Sequence, residues 1–293
     1  MGCATVMSNL KALVWLVCLT MISAVSQADA LIVRYPKPET EFDRRTDYPL
    51  RLLQLAFDKT GAEVSLVPSL QAMPQGRALV QLKNGIDVDV VWSMTSRKRE
   101  ADLQPIRIPI YKGLIGWRIF LAHERGLQRF SEPHSLDELR DYILVQGHDW
   151  PDTDILRSNG FQVFGTPSYD TIFTMVAQHR ADLFPRSIVE IWAEAKTHEN
   201  SGIVVEPTKL LTYPTAFYYF VNPEDTELAL LIERGLKTAL ADGSFDALFH
   251  EYHADLIEKA RLEERERYRL NNPLLPELTP LGSEALWFSL SAE

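Results

Sequence analysis

Three stretches of this sequence hold side chains that could do chemistry. The first is "VVWSMTSRKRE" (90–100), where an apolar run with Trp92 gives way to the hydroxyls Ser93 and Thr95 and then to Arg97, Lys98 and Arg99. The second is "QGHDWPDTD" (146–154), carrying His148, Asp149 and Trp150, and the third is the single cation Arg186 in "LFPRS". Guanidinium forks pair bidentately with carboxylates and phosphates, so the chemistry on offer is capture of a small anion. A charge-assisted hydrogen bond contributes about 1.5–3 kcal/mol, whereas micromolar binding needs about 8 kcal/mol. Apolar walls must supply the difference, and Tyr35, Trp92 and Trp150 are the candidates.

Each candidate also has a plainer role. Trp92 continues a buried strand, Asp152 or Thr153 fits a helix N-cap, and Arg186 stands one helical turn from Glu190. Of the three clustered cations, one is expected inside the cleft and the other two solvated. His148 and Asp149 could serve an enzyme acting on a small acid, which needs a base within about 3 Å of a reacting atom. "HEYH" (250–253) departs from the H-E-x-x-H zinc spacing, and a solvated helix face is the expectation there. No metal, cofactor or catalytic residue is assigned.

The elements that must position these groups read as an α/β chain. "LIVRYP" (31–36), "AEVSLVP" (62–68) and "DVDVVWSM" (87–94) are strands, separated by amphipathic helices over 48–61 and 75–85. An extended apolar run follows at 108–122, and then a second α/β series begins with a capping box at Ser135 and Glu138. Strands are expected at 143–147, 161–165, 181–186 and 202–207, and helices at 152–160, 169–180 and 187–198. A second extended crossing, 211–223, leads to helices over 224–243 and 244–270. Two α/β series joined by two crossings imply two lobes, each a mixed sheet flanked by helices, with a cleft between them. Ligands in such sheets sit beyond the carboxyl ends of the strands. That rule selects Arg34, Tyr35, the 92–99 segment, 147–153 and 185–187.

Composition narrows the function further. The 293 residues carry a formal net charge of −10, which argues against a nucleic-acid binder. Residues 1–30 have the apolar centre and A-x-A exit of a cleaved secretory leader, "ALVWLVCLTMISAVSQADA". Both cysteines, Cys3 and Cys18, lie within it, so thiol chemistry is excluded from the exported chain.

The order "LVQLKNGIDVDVVWSMTSRKRE", "IPIY", "SLDELRDYILVQG", "AQHRADLFPR" and "LALLIERGLKTALADGSFDALFHEY" resembles the type II periplasmic solute-binding proteins, in particular family 3 with its amino-acid receptors of ABC importers. The resemblance covers about residues 31–255. It implies a periplasmic-binding-protein-like type II fold, with lobe 1 over 31–112, lobe 2 over 113–212 and a return to lobe 1 over 213–270. A C-terminal extension of 271–293 lies beyond the usual family end. It further implies a monomer that closes around a small polar or anionic solute and serves an ABC permease or a membrane sensor. The binding arginine that follows the family's threonine falls on Arg97 or Arg99. The aspartate that takes an amino group in the amino-acid receptors is replaced here by Pro185, Arg186 and Ser187. An adaptor role without transport is a further alternative. On this reading Arg99→Ala or Arg186→Ala abolishes binding without unfolding the chain.

Overall fold

The computed structural model describes residues 30–38, 46–130, 132 and 134–290. The leader expected at 1–30 lies almost wholly outside the described residues. In the first lobe, β1 (Leu31–Lys37) and β2 (Val64–Ala72) run parallel, Val33 facing Leu66. The helix α1 (Asp47–Thr60) crosses between them and buries Leu52, Leu53, Ala56 and Phe57. Next come α2 (Gln75–Lys83), β3 (Val90–Met94), the short helix α3 (Arg97–Asp102) and β4 (Gln104–Ile106). The stretch expected as one apolar run at 108–122 is broken by turns around Lys112 and Gly113. It becomes a strand only at β5 (Trp117–His123).

The second lobe places β5 centrally, antiparallel to β8 (Phe184–Ser187), to β9 (Ile203–Val205) and to β10 (Lys209–Thr212). Around this sheet lie α4 (Leu136–Arg140), α5 (Pro151–Ser158), α6 (Tyr169–Ala177) and α7 (Ile191–Thr197). The parallel pair β6 (Ile143–Gly147) and β7 (Gln162–Thr166) joins it through a bridge from Leu144 to Leu183. The capping box expected at Ser135 and Glu138 is formed. The chain then re-enters the first lobe as β11 (Phe217–Val221), antiparallel to both β3 and β4, with Tyr219 opposite Trp92 and Ile106. The two crossings touch: Leu211 pairs with Arg118, and Tyr213 N donates to Gly116 O at 3.1 Å.

Two long helices finish the first lobe, α8 (Thr226–Ala241) and α9 (Ser244–Ala260). The helix expected through 270 stops earlier. Arg261 adopts a left-handed conformation, and β12 (Glu266–Arg269) then pairs parallel with β10. Residues 266–269 therefore belong with the second sheet, a correction to the return expected over 213–270. The opposite-charge spacing at 261–267 fits a helix, but pairing with a buried strand overrides local propensity.

Two core features carry measurable consequences. Helices α1 and α8 cross so closely at Gly235 that a Cβ there would lie 2.0 Å from the carbonyl oxygen of Ala56. Backbone cannot yield to that contact, so Gly235→Ala is expected to cost about 1–3 kcal/mol or more in urea unfolding. His253 is the second feature. It is buried at 3% exposure among Tyr48, Tyr111 and Phe249 with both ring nitrogens unpartnered, which corrects the solvated helix face expected for "HEYH". Burial lowers its pKa to about 3 from an ordinary 6.5. The folded chain thus binds this proton more weakly than the unfolded one. Its contribution is complete above pH 6.5 and is lost as pH falls toward 3, at up to about 1.4 kcal/mol per pH unit. Comparing His253→Leu with the parent by denaturation between pH 6.5 and 5 should show the variant's stability falling less steeply.

Candidate functional site

Between the lobes lies a cleft of about 130 Å³, lined by Trp92, Met94, Gln75 and Lys37 from the first lobe and by Asp149, Trp150, Asp152, Tyr169, Arg186 and Glu190 from the second. Arg118, Tyr111 and Phe217 from the crossings close its floor. The site sits beyond the carboxyl ends of β3, β6 and β8, as the strand-end rule requires.

Of the cations in "SRKRE", one is buried and two are exposed, but none lines the cleft, contrary to the expectation of one inside it. Arg99 is buried at 8% exposure, while Arg97 and Lys98 are exposed. The segment forms α3, with Ser96 as N-cap accepting from Arg99 N at 3.2 Å. Arg99 is nonetheless not a cleft-lining residue. Its Nη1 donates to Ser93 Oγ and, at 2.9 Å, to Met94 O. Its Nη2 donates to Gln75 Oε1 at 2.9 Å and to Asp149 O at 3.1 Å. The last bond joins the lobes, so Arg99 acts as a strut across the cleft mouth. Burial lowers its pKa to about 10, opposed by the charges of Asp149 and Asp152, so it stays cationic near neutral pH. Gly76 makes room on the facing helix, since a Cβ there would meet Asp149 Oδ2 at 2.2 Å.

Arg186 is where the structure departs most from the sequence reading. It lines the cleft at 2% exposure, but carboxylates already hold its guanidinium. Nε donates to Glu194 Oε1 and Oε2 at 3.0 and 2.8 Å, and Nη2 to Glu194 Oε1 at 2.6 Å. Nη2 also lies 2.8 Å from Glu190 Oε1, the ion pair expected one helical turn away. Burial works to lower this arginine's pKa, yet the neighbouring Glu190 and Glu194 raise it well above its ordinary value. Its face stacks on Trp150, with Cζ 5.0 Å from the ring centroid, and on Phe184 at 5.1 Å. Tyr169 donates to Glu194 Oε1 at 2.5 Å and completes the cluster.

Arg118 forms a second compensated centre that sequence reasoning missed. Its Nη2 lies 2.6 Å from Asp152 Oδ1, which also accepts from Tyr213 OH. Burial raises the Tyr213 pKa well above its ordinary value, Arg118 opposing and Asp152 adding to the rise. An arginine inside the apolar run "GLIGWRIFLA" was the available signal, because a fully buried arginine requires a partner. Asp152 is therefore an ion-pair partner and not the N-cap of α5, where Trp150 stands with no side-chain cap bond. Thr153 Oγ1 donates instead to Gly147 O at 2.7 Å.

The remaining candidates scatter. Trp92 and Trp150 line the cleft. Tyr35 packs behind Trp92 with centroids 6.0 Å apart and is not part of the lining. Ser93 and Thr95 are buried; Ser93 accepts from Arg99, and Thr95 Oγ1 donates to Glu100 Oε1 at 2.6 Å. Arg97 faces away and donates to Pro273 O at 2.6 Å. His148 is exposed and outside the lining, which removes it from the small-acid chemistry considered for it with Asp149. Among the described residues, no cluster of three or more His, Cys, Asp or Glu could hold a metal ion.

Because Glu190 and Glu194 depend on one cation, Arg186→Met should cost about 3–5 kcal/mol of stability in urea unfolding. The double variant Arg186→Met/Glu194→Met should recover part of that loss. The structure thus replaces the expectation of a binding defect without unfolding.

No family profile matches the sequence, and no curated protein matches it. Solved structures do. A periplasmic binding protein of Salmonella typhimurium with high arginine specificity superimposes with a TM-score of 0.57 at 14% identity, covering 76% of this chain and 99% of that one. A histidine kinase sensor domain with similarity to periplasmic binding proteins gives 0.55 at 17% identity, covering 77% and 96%. The GluR0 ligand-binding core from Nostoc punctiforme, in complex with glutamate, gives 0.54 at 13% identity, covering 76% and 99%. At these identities the likeness is one of fold. The chain has the two-lobed periplasmic-binding-protein-like architecture expected from its sequence.

Proposed function

We propose that this chain is an exported solute-binding receptor of the family-3 type, which closes its lobes on a small polar solute without net charge. The observation that carries this reading is the cleft itself. It lies between two lobes and is walled by Trp92 from one and Trp150 and Tyr169 from the other. Among the described residues, three cations line it, Lys37, Arg118 and Arg186, against three carboxylates, Asp149, Asp152 and Glu190. Arg118 and Arg186 are already paired within the protein. An anion entering this space would lose its water and meet guanidinium groups that carboxylates already hold, which is unfavourable. A zwitterion or an uncharged polar molecule can use both signs, and its apolar part can lie against the indoles. Support for a polar rather than an anionic solute thus comes from Glu190 and Glu194, which offset Arg186.

The lobes would part about the crossings near 111–116 and 211–215, with boundaries close to 112 and 213. A solute touching both lobes binds the closed form better and shifts the population toward it. The apolar leader over 1–30 and the fold of the solved neighbours support a periplasmic protein, which would act as a monomer. An ABC permease or a membrane sensor would read the closed shape, and the periplasmic binding protein and the sensor domain among those neighbours support such a role.

Native mass spectrometry of the purified chain, combined with small-angle scattering during solute titration, tests the receptor reading. The expectation is a non-covalent small molecule released on denaturation, and a smaller radius of gyration when solute is restored. A mass equal to the bare chain, with no compaction by any member of a broad solute library, would overturn it.

A further inference from the structure

The C-terminal segment 271–290 does not simply trail from the second lobe. It leaves β12, whose hydrogen bonding continues through Leu270 N to Thr212 O at 2.8 Å, and touches in turn both lobes and both crossings. At the second lobe, Asn159 Nδ2 donates to Asn271 O at 2.7 Å, and Asn271 N donates back to Asn159 Oδ1 at 3.0 Å. Over the second crossing, Asn272 Nδ2 donates to Pro214 O at 2.9 Å. At the first lobe, Arg97 Nη1 donates to Pro273 O at 2.6 Å and Arg97 N to Leu274 O at 3.1 Å. The segment then reaches the first crossing. There Lys112 Nζ donates to Ala285 O at 2.7 Å and Phe288 N to Lys112 O at 2.8 Å.

Apolar anchors reinforce this path. Trp287 covers Gly113, where the chain turns with φ of 78°, and a Cβ at that glycine would lie 2.6 Å from the indole. Phe288 meets Trp117 edge-on with centroids 5.4 Å apart.

We propose that residues 271–290 form a strap that restrains the hinge and sets how far the lobes part when no solute is held. The reasoning is geometric. Asn271 grips the second lobe and Pro273 the first, and two residues of chain span at most about 7 Å. Asn159 and Arg97 therefore cannot separate far without breaking their bonds to the strap. Gly113 and Lys112, where the first crossing bends, are covered by the same segment. The strap accordingly limits how far the lobes open before any solute arrives and slows solute exchange. The consequence for exchange rests on the receptor reading above, but the restraint itself is a property of the solute-free chain.

The test measures that restraint directly. The only cysteines, Cys3 and Cys18, are replaced by Ser, and spin labels are placed through Val80→Cys in α2 and Phe164→Cys in β7, both on exposed side chains. Distances between the labels are measured without solute in three proteins: the labelled full chain, its Arg97→Ala/Asn159→Ala variant, and a deletion ending at residue 270. The full chain should give one narrow distribution. The double substitution should raise the population of a longer distance roughly tenfold, and the deletion should raise it at least as much. Superimposable distributions for the full chain and the double substitution would overturn the proposal. If the deletion fails to fold, the double substitution alone decides. A protein that fails to compact with solutes yet opens when its strap bonds are cut would refute the receptor reading and leave the strap standing.

Discussion

The architecture of this cleft depends on compensating buried guanidinium groups. Moving a charge from water into a protein interior costs several kcal/mol even after relaxation, and only well-made partners offset that cost. Three arginines are buried at this cleft and all three are engaged. Arg186 has two glutamates, Arg118 has Asp152, and Arg99 has a hydroxyl, a side-chain amide and two backbone carbonyls. The secondary structure follows from this need. Helix α7 begins just after Glu190 and carries Glu194 one turn on, so both reach back to the strand bearing Arg186. The start of α5 turns Asp152 under the crossing that carries Arg118.

Such compensation ties the charged side chains within the second lobe to one another, and a few further polar contacts cross to the first lobe. There Arg99 reaches Asp149 O, and Asp149 rests on Gly76. Few interlobe bonds suit a receptor, because a solute must outcompete or complement whatever holds the halves together. On the proposed reading, the touching crossings, with Tyr213 N on Gly116 O, would provide a common axis for movement of the lobes.

Much of the fold was legible because it rests on periodicity. The apolar strand expected at 87–94, the glycine-terminated helix at 48–61 and the Ser135–Glu138 capping box are local signals; the last two formed, and the strand formed over 90–94. The end of the helix at Ala260 and the strand at 266–269 were not legible, since a partner in β10 decides them. The site was legible in place but not in role. Strand-end reasoning brought Trp92, Trp150 and Arg186 to the cleft, whereas none of the cations at 97–99, one of which was expected inside it, lines it. What each charge faces is a long-range fact. Only the Arg186–Glu190 pair, four residues apart, could be read locally. Glu194, eight residues away, and Asp152, 34 residues from Arg118, could not, so the sequence reading placed free guanidinium groups where carboxylates already hold them.

The central claim is that a charge-balanced cleft selects solutes by dipole and shape instead of net charge. A thermal-shift screen of small solutes grouped by net charge tests it most directly, because a bound solute raises the melting temperature by mass action. The account predicts that stabilising compounds come from the zwitterionic and uncharged groups. Stabilisation confined to dicarboxylates and phosphates would contradict it.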